Sequence, residues 1–259
     1  MNKLLLGSFA LALTMGGSAA MAADMPLKAP PPPPVFSWTG CYVGIEGGYA
    51  WGRSRHDNVG GGGILFGSFT PRFDISGGTA GFEYGCNQQF GNFWVFGIEG
   101  DWSWANKHGS SPDTGVAGNP LFTSETRERW ISTSRARVGW AWDRAWLYVT
   151  GGLALARVDA SVTIPALGTF TDSKVLTGWT IGAGLEYAFW NNWSIKAEYL
   201  YVRLENREYF DNPFGPVVSR GGLNVDNNIV RLGLNWRFTD CAFGFPGGCA
   251  PPPAPVFSK

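Results

Sequence analysis

Apolar and polar residues alternate with a period of two in eight stretches of this chain, at 41–51, 79–88, 93–104, 130–142, 146–156, 177–189, 193–203 and 229–238. That period belongs to an extended strand, whose successive side chains point to opposite faces. In FWVFGIEGDWSW, Trp94, Phe96, Ile98, Trp102 and Trp104 fall on one face, with Val95, Gly97, Glu99, Asp101 and Ser103 on the other. The same split recurs at the chain's far end, where Val230, Leu232, Leu234, Trp236 and Phe238 oppose Arg231, Gly233, Asn235 and Arg237. Eight strands in succession predict an all-β fold.

The connections alternate in length. Short ones lie at 90–92, 143–144 and 191–192, and long ones at about 54–72, 106–129, 159–173 and 206–226. Short turns at one end and long loops at the other are the asymmetry of bacterial outer-membrane barrels, with the short turns in the periplasm. An eight-stranded interior is just wide enough for side chains to fill. The face rich in Trp, Tyr, Leu and Ile is too bulky for that space, whereas the face rich in Gly, Ala, Ser and Thr fits it. The expected architecture is therefore an eight-stranded antiparallel up-and-down transmembrane β-barrel, with its large side chains against lipid.

Charge tests this orientation independently, because a basic residue on the lipid face near the bilayer midplane costs about 2 to 4 kcal/mol. On the bulky face charges occur only at strand ends, as with Arg157 and Arg203. The central charges share the other face: Glu46, Glu83, Glu99, Asp101, Glu186 and Glu198, with Arg135, Arg137, Lys196 and Arg231. They converge on the lumen, where desolvated charges persist only when paired and hydrogen-bonded. A lumenal ion-pair network is expected, with Glu99 and Asp101 facing Arg135 and Arg137. Its surplus of acids calls for a rim cation such as Arg237, for water, or for a protonated carboxyl. Trp38, Trp51, Trp102, Trp104, Trp130, Trp142, Trp190 and Trp193 lie toward strand ends, as interfacial aromatic girdles require.

Composition sharpens the picture. Only 15% of the 259 residues are charged, against 15% aromatic, 13 Trp and 37 Gly, where a usual soluble domain carries about 25% charged residues. The opening MNKLLLGSFALALTMGGSAAMAA has a basic start, a short apolar core and small residues, which reads as a secretory signal over 1–22. A Pro-rich periplasmic segment follows at 23–37, then the barrel at 38–238 and a Cys/Pro-rich tail at 239–259. With 20 basic and 20 acidic residues, no bulk electrostatic case for nucleic acid exists.

Four cysteines in an exported chain point to disulfides, and four allow three pairings. Cys41 opens the first strand and Cys86 closes the second, which favours Cys41 with Cys86 and Cys241 with Cys249. The alternative bonds a tail cysteine to the barrel. His56 and His108, the two histidines, fall in expected external loops without metal-ligand spacing. The lumenal acids are more simply structural than a general acid/base pair, and GGGG at 60–63 lacks the context of a phosphate loop. No enzyme, no metal and no cofactor is expected.

The residues also resemble a known family. ADMPLKAPPPPPVFSWTGCYVGIEGGYAWG at 23–52, FGIEGDW at 96–102, GAGLEYAFWNNWSIKAEYLYV at 182–202 and VRLGLNWRF at 230–238 are similar to the alphaproteobacterial outer-membrane immunogenic proteins, small surface barrels often labelled "porin family". The resemblance implies a structural, surface-exposed role in the cell envelope, with pore activity or haem binding sometimes credited. The alternatives to a structural role are thus porin-like passage of small solutes, or haem or host-ligand binding through the external loops, with His56 and His108 as the candidate haem ligands. Outer-membrane lipid, lipopolysaccharide and the β-barrel assembly machinery are the expected partners, and a monomer is expected, with a homo-oligomer as alternative. Such barrels usually end on an aromatic strand residue read by that machinery. Here Phe238 is followed by TDCAFGFPGGCAPPPAPVFSK.

Overall fold

In the computed structural model, residues 36–60, 70–91, 93–113, 122–164, 168–209 and 220–238 are described. They form β1 (Gly40–Gly60), β2 (Thr70–Phe90), β3 (Trp94–Asp113), β4 (Phe122–Trp142), β5 (Ala145–Ile164), β6 (Gly168–Ala188), β7 (Trp193–Tyr209) and β8 (Arg220–Phe238). Each strand pairs antiparallel with the next, and β1 pairs with β8, giving a closed eight-stranded barrel. Closure satisfies every strand edge, which a sheet in lipid requires.

The eight strands of the sequence reading are all present, but each of them is longer. They run to 17–21 residues, whereas crossing a bilayer takes about 9–11 tilted residues. The excess lies at the end away from the short turns, where long loops were expected. Bulky alternation marks only the lipid-facing half of a strand. Beyond the lipid the outward positions turn polar, so the signal fades while the hydrogen-bonded ladder continues. His56 and His108 are corrected accordingly: His56 is paired within β1, opposite Thr70 and Leu223, and His108 within β3, opposite Ser76 and Arg127.

The orientation of the faces follows the expected parity. Ile45, Ile98 and Leu153 are 65%, 63% and 70% exposed, an arrangement that only lipid makes favourable over such a continuous belt. On β4 the belt runs from Trp142 to Trp130. Twelve residues at about 3.3 Å each, tilted by about 45°, rise roughly 28 Å, the thickness of a hydrocarbon core. Just above that level outward charges begin, with Arg53, Asp74, Arg157 and Arg203 exposed. Ladder irregularities cluster there too, between Ser54 and His56, Trp104 and Lys107, Glu128 and Trp130, and Leu204 and Arg207, consistent with the tendency of bulges to sit at barrel rims.

Trp51, Trp104, Trp142, Trp190 and Trp193 are exposed, and Trp102 and Trp130 are half-buried with their rings stacked 4.4 Å apart. Trp38 departs from the girdle expectation: it is buried. The chain entering β1 crosses the periplasmic mouth, so the Trp38 backbone amide donates to Gln89 Oε1 (2.8 Å) and its indole Nε1 to the Asp143 carbonyl (3.2 Å). Its ring lies 5.6 Å from Trp146, an inward residue of β5, and 5.2 Å from Phe36.

The Cys41 and Cys86 pair is disulfide-bonded across directly opposed positions of β1 and β2. Cys241 and Cys249 lie outside the described residues, as do the expected signal and tail.

Candidate functional site: the lumenal charge network

Inward parity carries one or more charged or hydroxylic side chains from every strand to the middle of the barrel. Glu46 comes from β1, Glu83 from β2, Glu99 and Asp101 from β3, Arg135 and Arg137 from β4, Glu186 from β6, Lys196 and Glu198 from β7, and Arg231 from β8. Strand β5 contributes Tyr148. All ten charged residues are buried, and the structure brings all ten together.

Glu99 is the hub. Arg135 and Tyr42 donate to it, Arg137 Nη1 stands 2.8 Å from its Oε2, Lys196 Nζ 3.1 Å from its Oε1, and Arg231 Nη2 3.6 Å from the same oxygen. Arg231 spans the lumen, reaching Glu46 (2.5 Å), Asp101 (3.3 Å) and Glu198 (2.6 Å). Lys196 also donates to Glu83. Register explains the first of these contacts, since Glu99 and Arg135 are direct partners across β3 and β4. Arg137 stacks over the rings of Tyr42, Trp146 and Tyr148 at 4.7–5.1 Å, where cation–π attraction is strongest when desolvated.

Six acids against four bases leave Glu46 Oε2, Glu83 Oε1 and Asp101 Oδ1 buried without a hydrogen-bond partner among the described residues, and neutral donors add to the other oxygens, most of which a cation already holds. Tyr148 donates to Glu198 (2.9 Å), Ser103 to Glu46 (2.7 Å), Ser194 and Asn235 to Glu186 (2.5 and 3.2 Å), and Thr133 to Asp101. Arg237 makes no ion pair with the belt acids among the described residues. Its guanidinium donates to the backbone carbonyls of Ser37 (2.8 Å) and Asn191 (2.6 Å) at the periplasmic rim. The two tyrosines reach the belt because small residues face them: a Cβ on Gly85 would stand 2.5 Å from the Tyr42 hydroxyl, and one on Gly184 2.4 Å from that of Tyr148.

A second buried pair was missed by sequence reasoning. Lys107 Nζ lies 2.9 Å from Glu128 Oε2, and Asn227 joins both. Lys107 keeps the odd inward parity of Glu99, Asp101 and Ser103, so extending β3 would have found it. Glu128 could not be found that way, because Arg129 is an extra residue in the β4 ladder against β5 and shifts inward parity from odd to even.

The belt is closed on both sides. Toward the periplasm Trp38, Val95, Ala141, Trp146, Tyr148 and Ala188 form one buried cluster. Toward the outside Ile131, Leu200, Val202, Ile229 and their neighbours form another. Such packing positions the charges as braces between strands. His56 and His108 are not brought together. They flank β2 at Thr70 and Ser76, six positions or about 20 Å apart along that strand.

A family model described as "Outer membrane protein beta-barrel domain" matches residues 9–238. The 31 kDa outer-membrane immunogenic protein of Brucella melitensis is 37% identical over 260 residues, covering 92% of this chain and 100% of its own length. The 22 kDa outer membrane protein of Rhizobium leguminosarum is 32% identical over 220 residues, covering 84% and 83%. Among solved structures, the outer membrane protease OmpT of Escherichia coli superposes with a TM-score of 0.49 at 11% identity, over 78% of this chain and 98% of that one.

Proposed function

Since the chain belongs to the outer-membrane β-barrel family to which those immunogenic proteins are similar, and so resides in the outer membrane, we propose that it is a structural, surface-exposed element of the cell envelope, with a sealed lumen and no enzymatic activity. The observation that carries this reading is the grip on Glu99 by Arg135, Arg137, Lys196 and Arg231. Four cations from three strands on one carboxylate make a cross-brace, and moving any of them aside for a solute would leave buried charge unpaired, at about 3 to 5 kcal/mol for a broken pair. Outer-membrane lipid and lipopolysaccharide surround the belt, the β-barrel assembly machinery inserts it, and the strands that project beyond the lipid carry the loops to the cell surface. Planar-bilayer recording of the purified full chain tests the sealed lumen. Current at the baseline is expected, and a stable single-channel conductance would replace this reading with solute passage.

A further inference from the structure

Outward-facing charge above the lipid belt is unevenly distributed. Elsewhere on the barrel two arginines stand against one carboxylate apiece, Arg53 with Asp74 at 3.5 Å and Arg203 with Asp226 at 3.9 Å. On β4 and β5 three arginines share one. Arg129 Nε lies 2.5 Å from Asp159 Oδ2, Arg157 Nε lies 3.9 Å from Asp159 Oδ1, and Arg127 is the direct ladder partner of Asp159. The Asp159 carboxyl is further occupied by the Ser173 hydroxyl at 2.6 Å. Partial burial works against its charge, yet the Ser173 hydroxyl and Arg129 hold it below the usual carboxylate range, so it stays ionised at neutral pH. The cluster therefore keeps a net charge of about +2. The next outward acid on β4, Glu125, sits two positions farther from the lipid.

The bulge at Arg129 creates this arrangement. One extra residue in the β4 ladder leaves Arg127 and Arg129 both exposed, immediately above Trp130. Trp130 is opposite Arg157 on one side and Trp104 on the other, and stacks on Trp102. Trp104 is exposed. An apolar aromatic shelf at the height where acyl chains end thus lies directly below three guanidiniums, groups whose planar fork suits phosphate oxygens.

We propose that this face of β3–β5 is a binding site for a phosphorylated glycolipid of the outer leaflet, of the lipid A class, with Arg127, Arg129 and Arg157 on its phosphate and Trp102, Trp104 and Trp130 against its acyl chains. The inference rests on the outer-membrane placement alone. A conducting lumen would defeat the sealed-barrel reading and leave this one intact.

The test is native mass spectrometry of the full chain in detergent, titrated with bisphosphorylated lipid A and with the same lipid freed of phosphate. The phosphorylated lipid is expected to be retained at least tenfold more tightly by the parent protein than by an R127Q/R129Q/R157Q variant, and the phosphate-free lipid to bind both alike. An R53Q/R203Q variant, which removes as much surface charge per pair elsewhere, is expected to match the parent. Should the triple variant fail to show the heat-sensitive gel mobility of a folded barrel, Arg127→Gln alone is expected to weaken retention at least threefold. Equal retention by parent and arginine variants overturns the proposal, as does an equal loss in R53Q/R203Q.

Discussion

At the scale of single residues, burial decides which charges matter. Glu99 and its partners have essentially no exposed side-chain surface, while Arg53 and Asp74 are 68% and 89% exposed. A solvated pair contributes little, but removing one member of a buried set leaves the rest uncompensated in a low-dielectric space. Glu99→Ala strips the shared anion from Arg135, Arg137, Lys196 and Arg231. It is expected to cost about 3 to 5 kcal/mol, measured by urea unfolding in lipid vesicles through Trp fluorescence, with no resolvable change in Arg53→Ala. Equal effects from the two substitutions would mean that the belt carries no bracing energy. Which charges enter the belt was legible from parity alone, since the bulky residues of the same strands, Ile98 and Trp102 around Glu99 and Asp101 and Val138 and Trp140 beyond Arg135 and Arg137, take the opposite face. The facing of Glu99 and Asp101 toward Arg135 and Arg137 was legible as well. The reach of Lys196 and Arg231 to Glu99 was not, because contacts between strands that are not neighbours leave no mark in the order of the chain. The neutral donors Ser103, Thr133 and Ser194 were also illegible, for a hydroxyl on an inward position carries no mark of the carboxylate it will serve.

At the scale of elements, the strands were legible where they touch lipid and invisible where they leave it. The 41–51 segment announces itself by Val43, Ile45, Tyr49 and Trp51, yet β1 continues to Gly60 through residues whose outward side chains need only be soluble. The β4 bulge shows the second limit: a one-residue insertion reverses the meaning of parity, so Glu128 reads as outward until the ladder is seen. The first hairpin adds a covalent element. Cys41 and Cys86 close a loop with a sequence separation of 45, for which the chain-entropy argument gives at most about 4 kcal/mol. Because β1 is also held by β8 along its whole length, the barrel does not depend on this bond for closure. C41S/C86S is therefore expected to fold, to keep its heat-sensitive gel mobility, and to unfold at lower urea concentration. A variant that never acquires folded mobility would show that the bond is needed during assembly and not merely afterward.

At the scale of the whole molecule, the lumen is a series of three unlike fillings, and solute passage requires that all of them yield. An aromatic plug holds the periplasmic mouth, the charge belt follows, and an apolar layer with the Lys107–Glu128 pair within it occupies the outer half. The plug is the filling most exposed to engineering, because Trp38 comes from the strap before β1 while its ring partner Trp146 belongs to the barrel wall. Truncating both rings in W38A/W146A removes the lower seal and the indole beneath Arg137, whose guanidinium lies 4.7 Å over the Trp146 ring. Arg137 remains held by Glu99 at 2.8 Å and by Asn87 at 2.9 Å, and Lys196 and Arg231 still span the section above it. The double variant is accordingly expected to be less stable than the parent and yet electrically silent in planar bilayers. Adding Glu99→Ala to it unpairs the cations that close the next section, and bursts of current are expected only then. If W38A/W146A alone conducts, the aromatic plug is the barrel's seal and the charge belt serves bracing without closure.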